Sequence, residues 1–179
     1  MELICIESLI GKYVNLREVT LEDAAFILNL RCNERKSAFI NPTKNDLKKQ
    51  IDYLNNYFAL ENEIYFIIEN KNFLPLGTIR LYNVKGKQYT GGSWIMSDSA
   101  NVFEVIEGDF LFKNYAFNVL NFEKSIFDVR KNNKKVVNFH KSYGAKIIDE
   151  NQKDYFFELT KETFKKNEIY FTKILNYER

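Results

Sequence analysis

Apolar residues recur along this chain with two different periods, which predicts a protein built from both strands and helices. Residues 13–19 alternate between apolar and polar positions, as a half-buried strand does. Thr20 is followed closely by acidic residues and predicts the start of a helix that runs to about Arg31. The same reasoning predicts strands at residues 13–19, 63–69, 76–82, 89–96, 124–130, 146–149 and 155–159, and helices at residues 20–31, 45–57, 101–120, 133–144 and 162–177.

The longest predicted helix, residues 101–120, carries an apolar stripe wide enough to indicate burial. The predicted order is a strand, two helices, three strands, a helix, a strand, a helix, two strands and a closing helix. Strands and helices that are interleaved in this way indicate mixed α/β layers.

Composition supports one folded domain over residues 1–179, because 45% hydrophobic and 16% aromatic residues are ample for a core. Cys5 and Cys32 are too few and too distant for a disulfide framework or a zinc knuckle. The single histidine cannot build a multi-histidine metal site, so no metal is expected. Residues 3–10 are interrupted by Glu7 and lack a basic flank, which argues against a signal peptide or a membrane span. A reducing, cytoplasmic location is the expectation.

The charge is nearly balanced overall, at +2 from 26 basic and 24 acidic residues, which argues against a nucleic-acid binder. Locally it is uneven, because residues 130–146 contain several lysines and one arginine but no acidic residue. A solvated helix face explains such a patch. A binding site for a phosphorylated ligand explains it as well, since the patch coincides with a predicted helix N-terminus.

Residues 132–145 are the most informative segment, and they hold the only histidine. A predicted strand precedes them, Asn133 can cap a helix, and Gly144 can end it. Between them lie a pair of small apolar residues, Val136 and Val137, and then Phe139 with His140.

This motif and the order of elements around it resemble the GCN5-related N-acetyltransferase (GNAT) superfamily. Its late motif is a strand, an Asn, two variable residues, two small apolar residues, an apolar pair that ends in Tyr, and a Gly stop. The resemblance implies a mixed, mostly antiparallel central sheet flanked by helices. It also implies acetyl-CoA as the acetyl donor, bound where strand 89–96 splays from strand 124–130 and leaves amide groups free for the thioester oxygen.

The resemblance assigns acetyl-CoA binding to Ile95, Met96, Ser97, Asn101, Val102, Phe103, Glu104, Val105, Asn133, Lys135 and Phe139. Family members have a glycine-rich turn before the long helix that cradles the pyrophosphate, but residues 97–106 contain no glycine. The donors expected here are instead the unpaired amides at the helix N-terminus. A helix cap alone also explains Asn133.

His140 stands where the family has the tyrosine that protonates the departing thiolate. Imidazole has a pKa of about 6.5 and is mostly neutral at pH 7, so we expect His140 to accept a proton early and return it as a general acid. The alternative is a helix histidine without a chemical role. Tyr143 is a competing acid, which we interpret as packing. Asp128 is the candidate base for the attacking ammonium group, with pairing to Arg130 or Lys131 as the alternative.

The acceptor is expected near Arg31, Asn33, Ser37, Arg80 and Trp94. Within the superfamily the chain is similar to two groups, one that modifies amino groups on nucleotide-linked sugars and one that acetylates the N-termini of ribosomal proteins. The segment 31–40 favours the sugar enzymes. A regulatory acyl-CoA-binding module without turnover remains a third interpretation. We expect a small-molecule amine as partner, no nucleic acid or membrane, and a monomer or homodimer.

Overall fold

The computed structural model describes residues 8–177, which form one eight-stranded sheet with helices on both faces. The strands are β1 (Ser8–Ile10), β2 (Val14–Glu18), β3 (Ile64–Asn70), β4 (Pro75–Lys85), β5 (Gln88–Met96), β6 (Lys124–Arg130), β7 (Lys146–Glu150) and β8 (Asp154–Thr160). The helices are α1 (Ala24–Cys32), α2 (Glu34–Ser37), α3 (Leu47–Phe58), α4 (Val102–Asn114), α5 (Lys134–Ser142) and α6 (Lys161–Ile174).

The strand order is β1-β2-β3-β4-β5-β6-β8-β7. Among the described strands, every neighbouring pair is antiparallel except β5 and β6, which run parallel. The predicted mixed, mostly antiparallel sheet is therefore confirmed. A parallel pair needs a crossover, and α4 supplies it between β5 and β6.

The sheet is the middle layer of the structure, as the sequence of β3 explains. Its residues Ile64, Phe66 and Ile68 join the larger apolar cluster, together with aromatic residues from α4 and α6. The alternate residues Tyr65 and Ile67 join a second cluster with α1 and α3. Because both faces of β3 are covered, its sequence is continuously apolar rather than alternating.

Most predicted elements lie within a few residues of their observed bounds, but β1 and α2 were not predicted. Both are too short, at three and four residues, for a period to be visible in the sequence. The predicted helix 101–120 consists of α4 followed by one wider π turn, residues Tyr115–Val119. Most of the segment 3–10 lies outside the described residues. Within residues 8–177, each helix is too short or too polar to cross a bilayer.

Glu107, in the middle of α4, forms hydrogen bonds with residues near both ends of the described chain. This fully buried carboxylate accepts hydrogen bonds from the amides of Lys12, Tyr13 and Val14, at 2.9, 2.6 and 2.7 Å, and from the hydroxyl of Tyr177. Gly11 is required beside it, because a Cβ there would lie 2.5 Å from Oε2 of Glu107. The carboxylate thus satisfies three amides at the β1–β2 turn, of which that of Val14 is buried and would otherwise lack a partner.

We expect Glu107→Gln to lower the free energy of unfolding by about 1.5–3 kcal/mol, the usual worth of hydrogen bonds to a charged group. The amide would place an NH₂ group against backbone donors. Urea denaturation measures the loss, and Glu162→Gln on α6, whose exposed carboxylate pairs with Lys166, is the matched control. The control should leave the midpoint nearly unchanged. Equal losses in the two variants would contradict the role given to Glu107.

Candidate active site

A cleft opens in the sheet where β5 and β6 part. The two strands pair at only three positions, from Gln88 with Lys124 to Thr90 with Ile126, although both continue beyond them. The space between them has a volume of about 440 Å³ and is lined by residues of β5, β6, α4 and α5 and of the segment after α1. The predicted separation of strand 89–96 from strand 124–130 is therefore present, between β5 and β6.

A bulge in β5 turns this strand away from β6. The register with β4 shifts between Thr78 and Arg80, and Ser93 has a left-handed backbone with φ of 50°. The Thr78 hydroxyl holds the bulge by donating to the Ser93 carbonyl at 2.6 Å. Gly92 is needed just before it, because a Cβ there would lie 2.8 Å from the hydroxyl oxygen of Tyr82. Gly91 and Gly92 directly precede the bulge in the sequence.

The bulge leaves backbone amides of β5 directed at the cleft. Ser97 donates its N–H to the carbonyl of Leu76 on β4, at 2.6 Å. Since N–H groups alternate sides along an extended strand, the amide of Met96 points away from β4 and toward the gap. This amide is a donor for an oxygen bound between the strands.

His140 forms part of the cleft wall on the side of α5. Asn133 caps this helix by accepting from the amide of Val136 at 3.4 Å, and Val137 packs into the core one turn before His140. His140 is only 6% exposed as a residue, and its ring is enclosed by aromatic rings, with Phe127 at 4.5 Å and Trp94 at 5.6 Å between ring centroids. Burial holds its pKa well below the ordinary value of 6.5, and the nearby Lys113 ammonium lowers it further.

Four buried polar side chains, Asp109, Lys113, His140 and Tyr143, form what we call the polar cluster. Nδ1 of His140 and the hydroxyl of Tyr143 share a hydrogen bond. Behind them, Lys113 forms an ion pair with Asp109 one turn earlier on α4, and its Nζ lies 4.6 Å from the centre of the Tyr143 ring. Burial raises the pKa of Asp109 and lowers that of Lys113. Tyr143 is thus a contact of His140 as well as a packing residue.

Asp128 is exposed to the cleft and makes no ion pair within residues 8–177. The alternatives considered for it are wrong, because Arg130 pairs with Asp154 at 2.7 Å and Lys131 pairs with Glu150 at 3.1 Å. Partial desolvation by the cleft walls raises the pKa of Asp128, and repulsion from Asp154 raises it further. The geometry therefore leaves Asp128 free to take up a proton.

The structure brings about half of the predicted site residues to the cleft. Those that line it are Arg31, Trp94, Ile95, Met96, Val105, Asp128, Asn133 and His140. Those that do not are Asn33, Ser37, Arg80, Ser97, Asn101, Val102, Phe103, Glu104, Lys135 and Phe139. Phe139 still packs on Trp94, with 5.2 Å between the ring centroids.

The N-terminus of α4 does not offer the free amides that the sequence predicted. Oδ1 of Asn101 accepts from the amides of Phe103 and Glu104, at 2.9 and 3.2 Å. The Glu104 carboxylate in turn accepts from the amide of Asn101 at 2.7 Å, which completes a capping box. The expectation of unpaired donors is corrected for Phe103 and Glu104, because the Asn101 side chain already holds their amides and the Glu104 carboxylate adds a negative charge to the helix N-terminus.

Three residues predicted to bind the acceptor have structural partners instead. Arg80 pairs with Glu63, bonds the Tyr53 hydroxyl, and lies within 6 Å of several tyrosine rings, which holds it outside the cleft. Asn33 caps α2 by accepting from the Arg35 amide at 3.0 Å. Ser37 donates its hydroxyl to the carbonyl of Glu34, at 3.3 Å.

The sequence analysis missed several residues that line the cleft. Those after α1 are Arg35, Lys36, Phe39, Ile40 and Asn41, and those elsewhere in the cleft include Tyr82, Asp109, Lys113 and Arg130. A signal for the first group was present, since segment 31–40 was singled out as a whole. The signal for Asp109 and Lys113 was a pair of opposite charges four residues apart, inside a predicted buried stripe.

Comparison with known proteins agrees with this geometry. A family model described as acetyltransferase (GNAT) domain matches residues 14–146. Over 152 residues the chain is 23% identical to the acetyltransferase PseH of Campylobacter jejuni, and the match covers 85% of this chain and 94% of that protein.

The chain is also similar to solved structures of acetyltransferases. The structure described as apo FdhC, a nucleotide-linked sugar GNAT, has a TM-score of 0.86 and 32% identity over 96% of this chain and 99% of that one. A putative acetyltransferase from T. thermophilus has a TM-score of 0.80, over 97% of this chain and 99% of that one. At 16% identity, the second likeness shows the fold alone.

We expect the ring of His140 to stay neutral well below pH 6.5. Because the unfolded chain binds this proton at about pH 6.5 and the folded chain does not, the free energy of unfolding should fall as the pH drops below that value. NMR titration of the only histidine measures the midpoint directly. His140→Phe, which has no titrating ring, should lose this part of the pH dependence. A midpoint at or above 6.5 would contradict the burial argument.

Proposed function

The chain belongs to the GNAT family of acetyltransferases, and we propose that its acceptor is the primary amine of an amino sugar carried on a nucleotide. As a member of this family it is an N-acetyltransferase, and acetyl-CoA is the acetyl donor. The observation that carries the proposal is a cleft lined by His140 and by several cationic side chains. A cytoplasmic location remains part of the proposal.

The donor fits the gap between β5 and β6. An extended thioester lying there has the Met96 amide beside its carbonyl oxygen and Ile95, Val105 and Asn133 among its neighbours. The capping box at α4 is the less favourable part of the fit, because a pyrophosphate has to displace Asn101 and Glu104 from the amides they hold. These contacts support binding of the pantetheine arm more strongly than binding of the nucleotide end.

The reaction is a direct transfer with amine and thioester bound together. Holding both reactants in one cleft supplies much of the rate for a bimolecular step. The amine must be neutral to attack, and Asp128, exposed in the cleft with a raised pKa, is placed to take the proton of the ammonium form. The oxyanion forms beside the Met96 amide, and the sulfur leaves with a proton delivered by His140.

The cleft suits a nucleoside diphosphate. Arg31, Arg35, Lys36 and Arg130 line it, against Asp128 as the exposed carboxylate. Of these cations, Arg35 is exposed and makes no ion pair within residues 8–177, whereas Lys36 pairs with Asp98 and Arg130 with Asp154. An unpaired guanidinium is suited to bidentate contact with a phosphate.

Aromatic side chains from the segment after α1 and from the sheet complete the acceptor side. Phe39, Tyr82 and Trp94 line the same cleft and offer faces for a sugar or a base. One relative also supports this acceptor, since FdhC is described as a nucleotide-linked sugar GNAT. A ribosomal-protein N-terminus and an inactive acyl-CoA-binding module are the alternatives, and the capping box at α4 favours the second.

A panel of acceptors separates these functions. We expect thiol release from acetyl-CoA with amino sugars linked to nucleoside diphosphates, and little with the free amino sugars or with N-terminal peptides. Arg35→Ala should raise the KM for the nucleotide sugar about tenfold, the loss of one charge-assisted hydrogen bond. Lys165→Ala removes an exposed cation on α6 that does not line the cleft, and it should change nothing.

Two results would count against this acceptor. Turnover of peptides alone would favour the protein N-terminus. Binding of acetyl-CoA without turnover of any acceptor would favour the regulatory module.

His140→Phe should reduce kcat by about 100-fold or more, because general acid–base catalysis contributes on that scale. The ring is replaced by another aromatic in an aromatic pocket, so acetyl-CoA should still raise the melting temperature as in the original protein. Steady-state kinetics and thermal shift measure the two effects. Equal loss of binding and turnover, or no loss, would mean that His140 does not transfer the proton.

A further inference from the structure

We propose that Tyr143 and Asp109 form a relay that keeps the ring proton of His140 on Nδ1 and presents the lone pair of Nε2 to the cleft. Tyr143 is in this view a positioning residue, and His140 is the group that meets the substrates. The role of the relay in catalysis rests on the proposed function, but the position of the ring proton on Nδ1 does not.

The direction of one hydrogen bond decides the tautomer. Nδ1 of His140 and the hydroxyl of Tyr143 are bonded, and a hydroxyl can either donate to the ring or accept from it. If the hydroxyl proton goes elsewhere, the oxygen accepts from Nδ1–H, and Nε2 keeps its lone pair. The question is therefore what else accepts the proton of Tyr143.

Asp109 provides that acceptor. Its Oδ1 is occupied by Lys113, while its Oδ2 is buried and has no other hydrogen-bond partner among the described residues. Burial raises the pKa of Asp109, and a hydrogen bond with the Tyr143 side chain is among the contacts that oppose this rise. With the proton of the ion pair on the Oδ1–Nζ hydrogen bond, Oδ2 carries no hydrogen and acts as an acceptor. Burial and the neighbouring Asp109 hold the pKa of Tyr143 well above its ordinary value, so its hydroxyl keeps the proton that it offers.

No titrating group on the described strands around the ring opposes donation from Nδ1 of His140 to the Tyr143 hydroxyl. The sheet surrounds His140 with Trp94 of β5, Phe127 of β6 and Phe157 of β8, none of which titrates. The charged groups that face it come from α4, namely Lys113 and its partner Asp109. The relay thus runs from Asp109 through the Tyr143 hydroxyl to Nδ1.

Such a ring can act first as a base and then as an acid. As the new N–C bond forms, Nε2 takes a proton from the attacking nitrogen, and the ring becomes an imidazolium. When the C–S bond breaks, the sulfur leaves with the electron pair and takes that same proton from Nε2. The ring returns to its starting tautomer, the proton on Nδ1 never leaves, and one proton has passed from the amine to the thiol.

The opposite tautomer would not permit this sequence. With the proton on Nε2, the ring has no lone pair toward the cleft and cannot accept from the amine. A histidine without a fixed partner exchanges between the two forms, so part of the enzyme would always be in the wrong one. The relay removes the fraction of enzyme molecules that carry the proton on Nε2.

The single histidine makes the tautomer directly measurable, because ¹⁵N-labelled histidine gives ring signals from one residue only. At pH 7 we expect a protonated Nδ1 and an unprotonated Nε2 in the original protein, and a mixture of both tautomers in Tyr143→Phe. The matched control is Tyr89→Phe, which removes an equally buried hydroxyl whose ring packs on Phe112 and Phe122. The control should keep the original signals. A protonated Nε2 in the original protein would overturn the proposal.

Kinetics then distinguish positioning from simple stabilisation. Tyr143→Phe should lower kcat about tenfold to a hundredfold with the KM values unchanged, since part of the acid–base contribution is lost. A double variant, Asp109→Leu with Lys113→Met, removes both buried charges together and should also mix the tautomers in a folded protein. An unchanged tautomer in both variants would show that the relay does not set it.

The tautomer measurement needs no substrate, so the two proposals fail separately. The expected tautomer together with no turnover of nucleotide-linked amino sugars would leave the relay in place and remove the proposed acceptor. Turnover of these sugars with Nε2 protonated would support the proposed acceptor and rule out the relay.

Discussion

The departure of β5 from β6 is the constraint on which the rest of the site depends. Two parallel strands that paired along their full length would bury their amides in the sheet and leave no room between them. The bulge at Ser93, held by Thr78, ends the pairing after three positions and turns β5 aside. Because the strands run in the same direction, α4 and α5 both follow at the open end of the gap. The amide donors, His140 and the polar cluster therefore meet at one place.

The polar cluster is an ion pair and a hydrogen-bonded pair within a core that is otherwise largely aromatic. Leaving such groups unpaired in a core would cost several kcal/mol, so each has a partner or a specific task. Aromatic rings enclose His140 closely enough to keep it neutral, and Lys113 adds to this effect. The same neighbours that stabilise the fold thus keep the ring neutral, so that one ring nitrogen has a lone pair before the reaction begins.

Periodicity predicted most of the architecture, because long apolar faces leave a clear pattern in the sequence. It failed for β1 and α2, which are too short to repeat a pattern. The motif around Asn133 and His140 located one wall of the cleft. Partners that lie far apart in the chain were not predictable, and for this reason Arg80 was assigned to the acceptor although Glu63 and Tyr53 already hold it. Tyr143 was interpreted as packing, since its contacts with His140 and α4 depend on the turn that follows α5.

The capping box of Asn101 and Glu104 bears on how long the enzyme retains its nucleotide-bearing thiol. Under the proposal that the pyrophosphate of acetyl-CoA binds at this helix end, it exchanges existing hydrogen bonds for new ones and meets the Glu104 carboxylate, so we expect little gain in affinity there. The lower affinity at this helix end applies equally to acetyl-CoA and to the product CoA. It lowers occupancy when the donor is scarce, but it leaves the height of the chemical barrier untouched. We therefore expect this helix end to favour rapid exit of free CoA over tight retention.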